Sequence, residues 1–133
     1  GNYTRSHGKS PNRTHMDRVL PIQLAEWRGI QEQFPDAALI VAGDLNMSLG
    51  GKHYYGTNRG RKALRDGLAE LGLACATEYE RVPADWLRYS PIDHVVVPEA
   101  WLARTRVVAA WEGTDATGRK LSDHSGLVVE VEG

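Results

Sequence analysis

The 133-residue chain is 41% apolar and 25% charged with a net charge of −1, a balance that excludes a disordered polymer and suits one globular domain. Sixteen basic residues against seventeen acidic ones exclude a strongly basic nucleic-acid coat, although a phosphate substrate remains compatible when a metal ion supplies the positive charge. A single cysteine, Cys75, excludes an internal disulfide, and no apolar run approaches the ~20 residues of a membrane span, so the expected setting is cytoplasmic.

Residues 1–16 are rich in Gly, Ser, Asn and His and read as a loop or a partial strand. A helix is expected over 17–34, capped by Asp17, with Val19, Ile22, Leu24, Trp27, Ile30 and Phe34 at spacings that include three and four; Pro35-Asp36 stops it. The continuous apolar run 37–42 predicts a strand buried on both faces that ends at Gly43-Asp44. A Gly- and Tyr-rich loop, 45–57, leads to a second helix over 58–71, with Leu64, Leu68 and Leu71 on one face and Gly72 at the C-cap position. Strands are expected at 73–77, 92–97, 105–111 and 126–131, with an irregular charged loop at 78–91 and a turn at 115–118. Helix, strand, helix and then several strands give an α/β (α+β) layer structure, a mixed sheet covered by two helices.

Three acidic motifs abut these strands. In Ala42-Gly43-Asp44-Leu45-Asn46 a carboxylate ends an apolar strand, at the sheet rim where open α/β folds place ligands. The plainer reading of that motif is a strand-end Asx turn. In Ile92-Asp93-His94-Val95 strand alternation puts Asp93 on the face of Val95 and Val97, and His94 on the other. Leu121-Ser122-Asp123-His124 opens the last strand; it reads either as a polar turn or as a base with its neighbour. All three lie at strand ends and can meet on one rim. The expected pairing is Asp93 with His124, a carboxylate that fixes the tautomer and raises the basicity of an imidazole. Asp44, Asn46 and Asp123 then supply hard oxygen ligands and water orientation, which suits Mg²⁺ or Mn²⁺.

Taken together, these motifs resemble those of the endonuclease/exonuclease/phosphatase superfamily. Gly43-Asp44-Leu45-Asn46 is similar to its Gly-Asp-Phe-Asn motif, Ile92-Asp93-His94-Val95 to Ile-Asp-His-Val, and Ser122-Asp123-His124 to Ser-Asp-His, in the family's order. The resemblance, from about Val19 to Glu132, implies a DNase I-like βα sandwich layer and metal-dependent hydrolysis of phosphate esters. It implies that Asp44 activates the attacking water and that Asn46 binds the scissile phosphate or that water. His124, held by Asp93, would stabilise charge on a phosphate oxygen, and Asp123 would bind the metal or support its shell. The substrates so implied are DNA, RNA, phospholipids or sugar phosphates.

Family members are about twice this length, and the Asn and metal-binding Glu of their first half have no match here. The expectation is therefore one domain over 1–133 that forms the C-terminal half of the four-layer fold. It would be completed by a missing N-terminal half or by self-association; the alternative to an enzyme is a catalytically incomplete binding module. His7 sits where the family carries a phosphate-contacting histidine, or is simply a tail residue. Tyr54 and Tyr55, in the loop after the first motif, either border the substrate groove and stack on a ring or pack the loop onto the sheet. Arg59, Arg61, Lys62 and Arg65 read as a solvated helix face.

Overall fold

The computed structural model describes the backbone of residues 11–51 and 55–133, with side chains from Asp17 onward in those ranges. His7 and Tyr54 lie outside the described residues. The chain is a mixed α and β structure: α1 (Pro11–Gln33), β1 (Val41–Asp44), α2 (Asn58–Glu70), β2 (Leu73–Cys75), β3 (Asp93–Pro98), β4 (Thr105–Trp111) and β5 (Gly126–Val131). Short 3₁₀ turns occupy Tyr79–Arg81 and Glu99–Arg104.

α1 begins at Pro11, where a missing N–H costs nothing, and so runs six residues ahead of the expected Asp17 cap. Its packing stripe also differs from the expected one. Leu20, Leu24 and Trp27 join the core, whereas Ile22, Ile30 and Phe34 are exposed. Both sets recur at helical spacing, so only the tertiary partner decides between them. Gln31 then ties α1 down by donating from Nε2 to the carbonyl of Leu71 at 2.8 Å. α2 follows its sequence closely. Thr57 caps it by accepting from the Gly60 N–H, Leu64 and Leu68 are buried, and Gly72 takes the left-handed conformation just beyond it, at φ 70°. Gly67 lets the two helices approach, because any side chain there would strike Leu24.

The expected mixed sheet is instead two small antiparallel sheets. The first has the order β1-β3-β2, with Asp44 opposite Asp93, Ala42 opposite Val95 and Cys75 opposite Val96. The second pairs β4 with β5, with a bulge between Val107 and Ala109. The run at 37–42 is not a strand buried on both faces. Pairing starts only at Val41, and β1 is an edge strand whose Ala42, Gly43 and Asp44 are exposed. β2 stops at Cys75 because the Val95 N–H turns to the hydroxyl of Thr77, 3.0 Å away, rather than to a backbone carbonyl.

Both helices pack against one face of the first sheet. That core holds Leu20, Leu64, Leu68, Leu73 and Val96, together with Leu45, Met47 and Leu49 from the segment after β1. A smaller cluster of Val82, Leu87 and Val107 lies against Leu127 and Val129. The register sends Ala42, Asp44, Asp93 and Val95 to the opposite face of the first sheet, away from the helices. The described residues include no helix long and apolar enough to cross a membrane.

Candidate active site

Antiparallel register sets the Asp44 and Asp93 carboxylates directly opposite one another, where β1 ends and β3 begins. Like charges in that relation repel, so the pair calls for a neighbouring cation. Asp44 is held by a local turn. Its Oδ1 accepts from the Asn46 N–H at 2.8 Å, and Asn46 adopts φ 55°, a left-handed value that Asn tolerates. The Asx turn and the site are therefore one device: the turn that ends the strand also fixes the carboxylate. It then sends Leu45, Met47 and Leu49 into the core, and the Leu45 N–H donates to Ile92 O at 3.0 Å.

His124 reaches the same rim from the connection between β4 and β5. That connection is ordered by its own hydrogen bonds. Asp115 Oδ1 accepts from the backbone N–H groups of Thr117 and Arg119, and Gly113 O accepts from the N–H groups of Leu121 and Ser122. The Ser122 hydroxyl accepts from the His124 N–H at 3.0 Å. Gly113 has to be glycine here, because a Cβ would collide with the backbone carbonyls of Ser122 and His124. Ser122 and Gly113 thus position the histidine; the serine lay inside a motif visible in the sequence, but nothing in the sequence pointed to the glycine.

The Nδ1 of His124 lies 2.5 Å from Oδ2 of Asp93. The bond and charge of Asp93, aided by the nearby Asp44 and Asp123 carboxylates, hold the imidazole above its ordinary value of 6.5. When protonated, the ring donates through Nδ1 and supplies the positive charge that the opposed carboxylates call for. One potential ligand atom from each of Asp44, Asp93 and His124 lies within 4.8 Å of the others. These three residues come from three distant segments of chain.

Other expected site residues are placed differently. Asp123 is not in this group. Its side chain is 79% exposed and forms an ion pair with Lys120 at 2.5 Å, because the lysine three residues earlier captures it. Asn46 is half-buried beside Asp44, to which it contributes its backbone N–H. Tyr55 lines a cleft of about 280 Å³ that also takes in His124, Asp123, Lys120 and Tyr89. The basic stretch of α2 is not uniformly solvated. Arg61 is buried and donates to Tyr55 O and Asn58 Oδ1, while Arg65 pairs with Glu78.

His94, next to Asp93, serves the fold. It is 2% exposed, with Nε2 2.7 Å from Met47 O and Nδ1 2.9 Å from the Thr77 hydroxyl. A carbonyl can only accept, so Nε2–H donates, and the Thr77 hydroxyl donates to Nδ1. Burial pushes this imidazole below 6.5 and keeps it neutral. Burial likewise pushes the Cys75 thiol up to about 11, which leaves it inert at neutral pH.

The donor set suits a hard cation. Mg²⁺ is commonly held by one or two carboxylates with several retained waters. Asp44 and Asp93 each offer an oxygen within 4.8 Å of the other, while His124 Nδ1 is already committed to Asp93. Comparison of the chain with protein-family models, with curated proteins and with solved structures finds no match.

Proposed function

We propose that this chain hydrolyses a phosphate ester by in-line attack of water, assisted by a divalent cation, at the rim site of Asp44, Asp93 and His124. The observation that supports this most is the 2.5 Å Asp93–His124 bond formed beside the Asp44 carboxylate, at the end of a ladder that sets two acids face to face. Asp44 and Asp93 would hold the cation, which when bound neutralises charge on the phosphate. Asp44 takes a proton from the attacking water as its oxygen bonds to phosphorus and the bond to the ester oxygen breaks. Asn46, fixed two residues on, orients that water or a phosphate oxygen. His124, protonated and held by Asp93, donates from its other nitrogen to a phosphate oxygen and stabilises the charge that builds there. The departing oxygen takes its proton from solvent.

The reading is tested by hydrolysis of bis-p-nitrophenyl phosphate and of plasmid DNA with and without Mg²⁺ or Mn²⁺. Turnover should require the cation and fall about 10²- to 10⁴-fold in Asp44→Ala, the range for losing a general base. No divalent-dependent turnover would leave the second reading, a non-catalytic module that binds a partner or its own copy. The exposed apolar residues favour that second reading: Ile40 just before β1, and Trp111 and Val128 on the second sheet.

A further inference from the structure

The rim site is divided between two sheets. Asp44 and Asp93 stand on β1 and β3 of the first, whereas His124 comes from the connection between the two strands of the second. Among the described residues no ladder joins the two sheets. β3 leads into β4 through the 3₁₀ turn Glu99–Arg104. The Arg81 guanidinium ties the sheets there, donating from Nε to Ala76 O at 3.2 Å and from Nη2 to Thr105 O at 2.6 Å. Those ties lie at the start of β4, and His124 lies beyond its end. Whether Asp93 and His124 meet therefore depends on what holds the second sheet at the site end.

Two kinds of contact act there. The cluster of Val82, Leu87 and Val107 with Leu127 and Val129 is apolar, and apolar burial is non-directional, so it gathers these segments without fixing their angle. The directional contact is made by Glu112, the first residue after β4, whose carboxylate accepts from the Arg88 N–H at 2.5 Å. Arg88 opens a segment that is fastened to the first sheet. Ser90, two residues on, is buried, and its hydroxyl donates to Gly50 O at 3.2 Å. Ile92 O accepts from the Leu45 N–H at 3.0 Å, and Asp93 follows at once. On the other side, Gly113 O accepts from the N–H groups of Leu121 and Ser122, and the Ser122 hydroxyl accepts from the His124 N–H. A ring results: Arg88 runs through Ile92 to Asp93, Asp93 meets His124, and His124 returns through Ser122 and Gly113 to Glu112. Two links of that ring cross between the sheets, the Asp93–His124 bond and the Glu112–Arg88 bond. A bond to an ionised carboxylate is stronger than one between neutral groups, which suits Glu112 to the second crossing.

We infer that Glu112 is a positioning residue of this site: its bond to the Arg88 N–H holds the connection that carries His124 against the strand that carries Asp93, and so sets the contact between them. The inference rests on the phosphoesterase reading of the rim. Glu112 acts here through His124 and touches no reacting atom. Aim alone is enough to matter, since a misplacement of about 1 Å can lower a rate by about 10²-fold.

The test reads the contact and the reaction separately. In proton NMR of the 133-residue chain at low temperature, the His124 Nδ1–H bonded to Asp93 should give a low-field signal, identified by its loss in His124→Ala. Glu112→Ala should abolish that signal or move it upfield. It should also lower kcat for bis-p-nitrophenyl phosphate in Mg²⁺ by about 10- to 100-fold, the range for groups that orient a metal site from outside it, with KM nearly unchanged. Glu112→Gln keeps an oxygen for the Arg88 N–H and should restore both. A signal that survives Glu112→Ala, a signal lost with kcat unchanged, or no low-field signal in the parent would overturn the inference. Should Glu112→Ala fail to fold, Glu112→Ser, whose side chain stops well short of the carboxylate position, decides. The spectrum needs no turnover. A parent that shows the signal and its dependence on Glu112, but no divalent-dependent hydrolysis, refutes the phosphoesterase reading and keeps the role of Glu112 in the contact.

Discussion

Asp93 and His94 are neighbours on one strand and face opposite environments. On the helix-covered side of the first sheet, His94 is sealed among Met47, Thr77 and Cys75, and burial holds it neutral. At the rim of the other face, Asp93 meets His124, and the carboxylate shifts that ring toward its charged form. One kind of side chain is thus pushed in opposite directions, by loss of water on the covered face and by a nearby opposite charge on the open one. The covered face spends its histidine on joining β2, β3 and the segment after β1. The rim of the other face keeps its histidine exposed and next to two carboxylates.

That contrast breaks most sharply in a pair of variants. His124→Ala should lower divalent-dependent turnover by about 10²- to 10³-fold, the loss seen when one charge-stabilising donor is removed, with only a small loss of thermal stability from the exposed Asp93 pair. His94→Leu should do the reverse. It strands the Met47 carbonyl in the core and takes the acceptor from the Thr77 hydroxyl, and should cost about 2 kcal/mol in urea unfolding. Its turnover per folded molecule should stay close to that of the parent. A His124→Ala protein that unfolds, or a His94→Leu protein as stable as the parent, would erase the distinction between the two faces.

The next test uses pH. His124 is raised above 6.5 by Asp93, so it remains charged on the alkaline side of the ordinary imidazole range. Activity that needs the charged ring should fall on an alkaline limb above 6.5. Asp93→Asn removes the charge that raises it, so the limb should move toward lower pH in a kcat/KM profile; a limb that stays in place would detach Asp93 from His124. The stability signs differ in the same way. A histidine lowered on folding lets the unfolded chain bind the proton first, so the contribution of His94 is full above 6.5 and drains away as pH falls through its folded value. A raised histidine favours the folded state below 6.5, and the contribution of His124 is lost as pH rises through its folded value.

How much of this was legible depends on whether the signal is local. Alternation along β3 is a property of six residues, so the opposite facing of Asp93 and His94 is readable from sequence. So is α2, whose leucine spacing and Gly72 stop lie within one short stretch. The strand end at Asp44 and its Asx turn with Asn46 are equally local. The partner of a strand is not. β1 and β3 are separated by α2, β2 and a long loop, with no hairpin signal between them, so nothing in either segment says that they run antiparallel. The packing stripe of α1 was ambiguous for the same reason: its two apolar sets are told apart only by what α2 presents, with Gly67 beneath Leu24. Arg61 looked like one of four cations on a wet helix face, and only the folded-back loop at Tyr55 shows why it is buried.

Asp123 gives the finest test, because motif and geometry disagree about it. The sequence motif ranks it as a metal ligand alongside Asp44. The structure gives it to Lys120 and leaves it largely exposed, one residue from His124 but outside the Asp44–Asp93–His124 group. An exposed pair of this kind contributes little on its own, since solvent screens it and both side chains must be ordered to form it. Asp123 still adds its charge to those that raise His124, and its own carboxyl is held low by Lys120. Asp123→Ala should therefore lower kcat/KM by less than about tenfold, the low end of the range for groups one step removed from a metal site. The midpoint of the Mg²⁺ dependence should not move. A loss as deep as that of Asp44→Ala, with a weakened Mg²⁺ midpoint, would mean that Lys120 releases the carboxylate when the cation binds, and that the motif reports the loaded site better than the ion pair does.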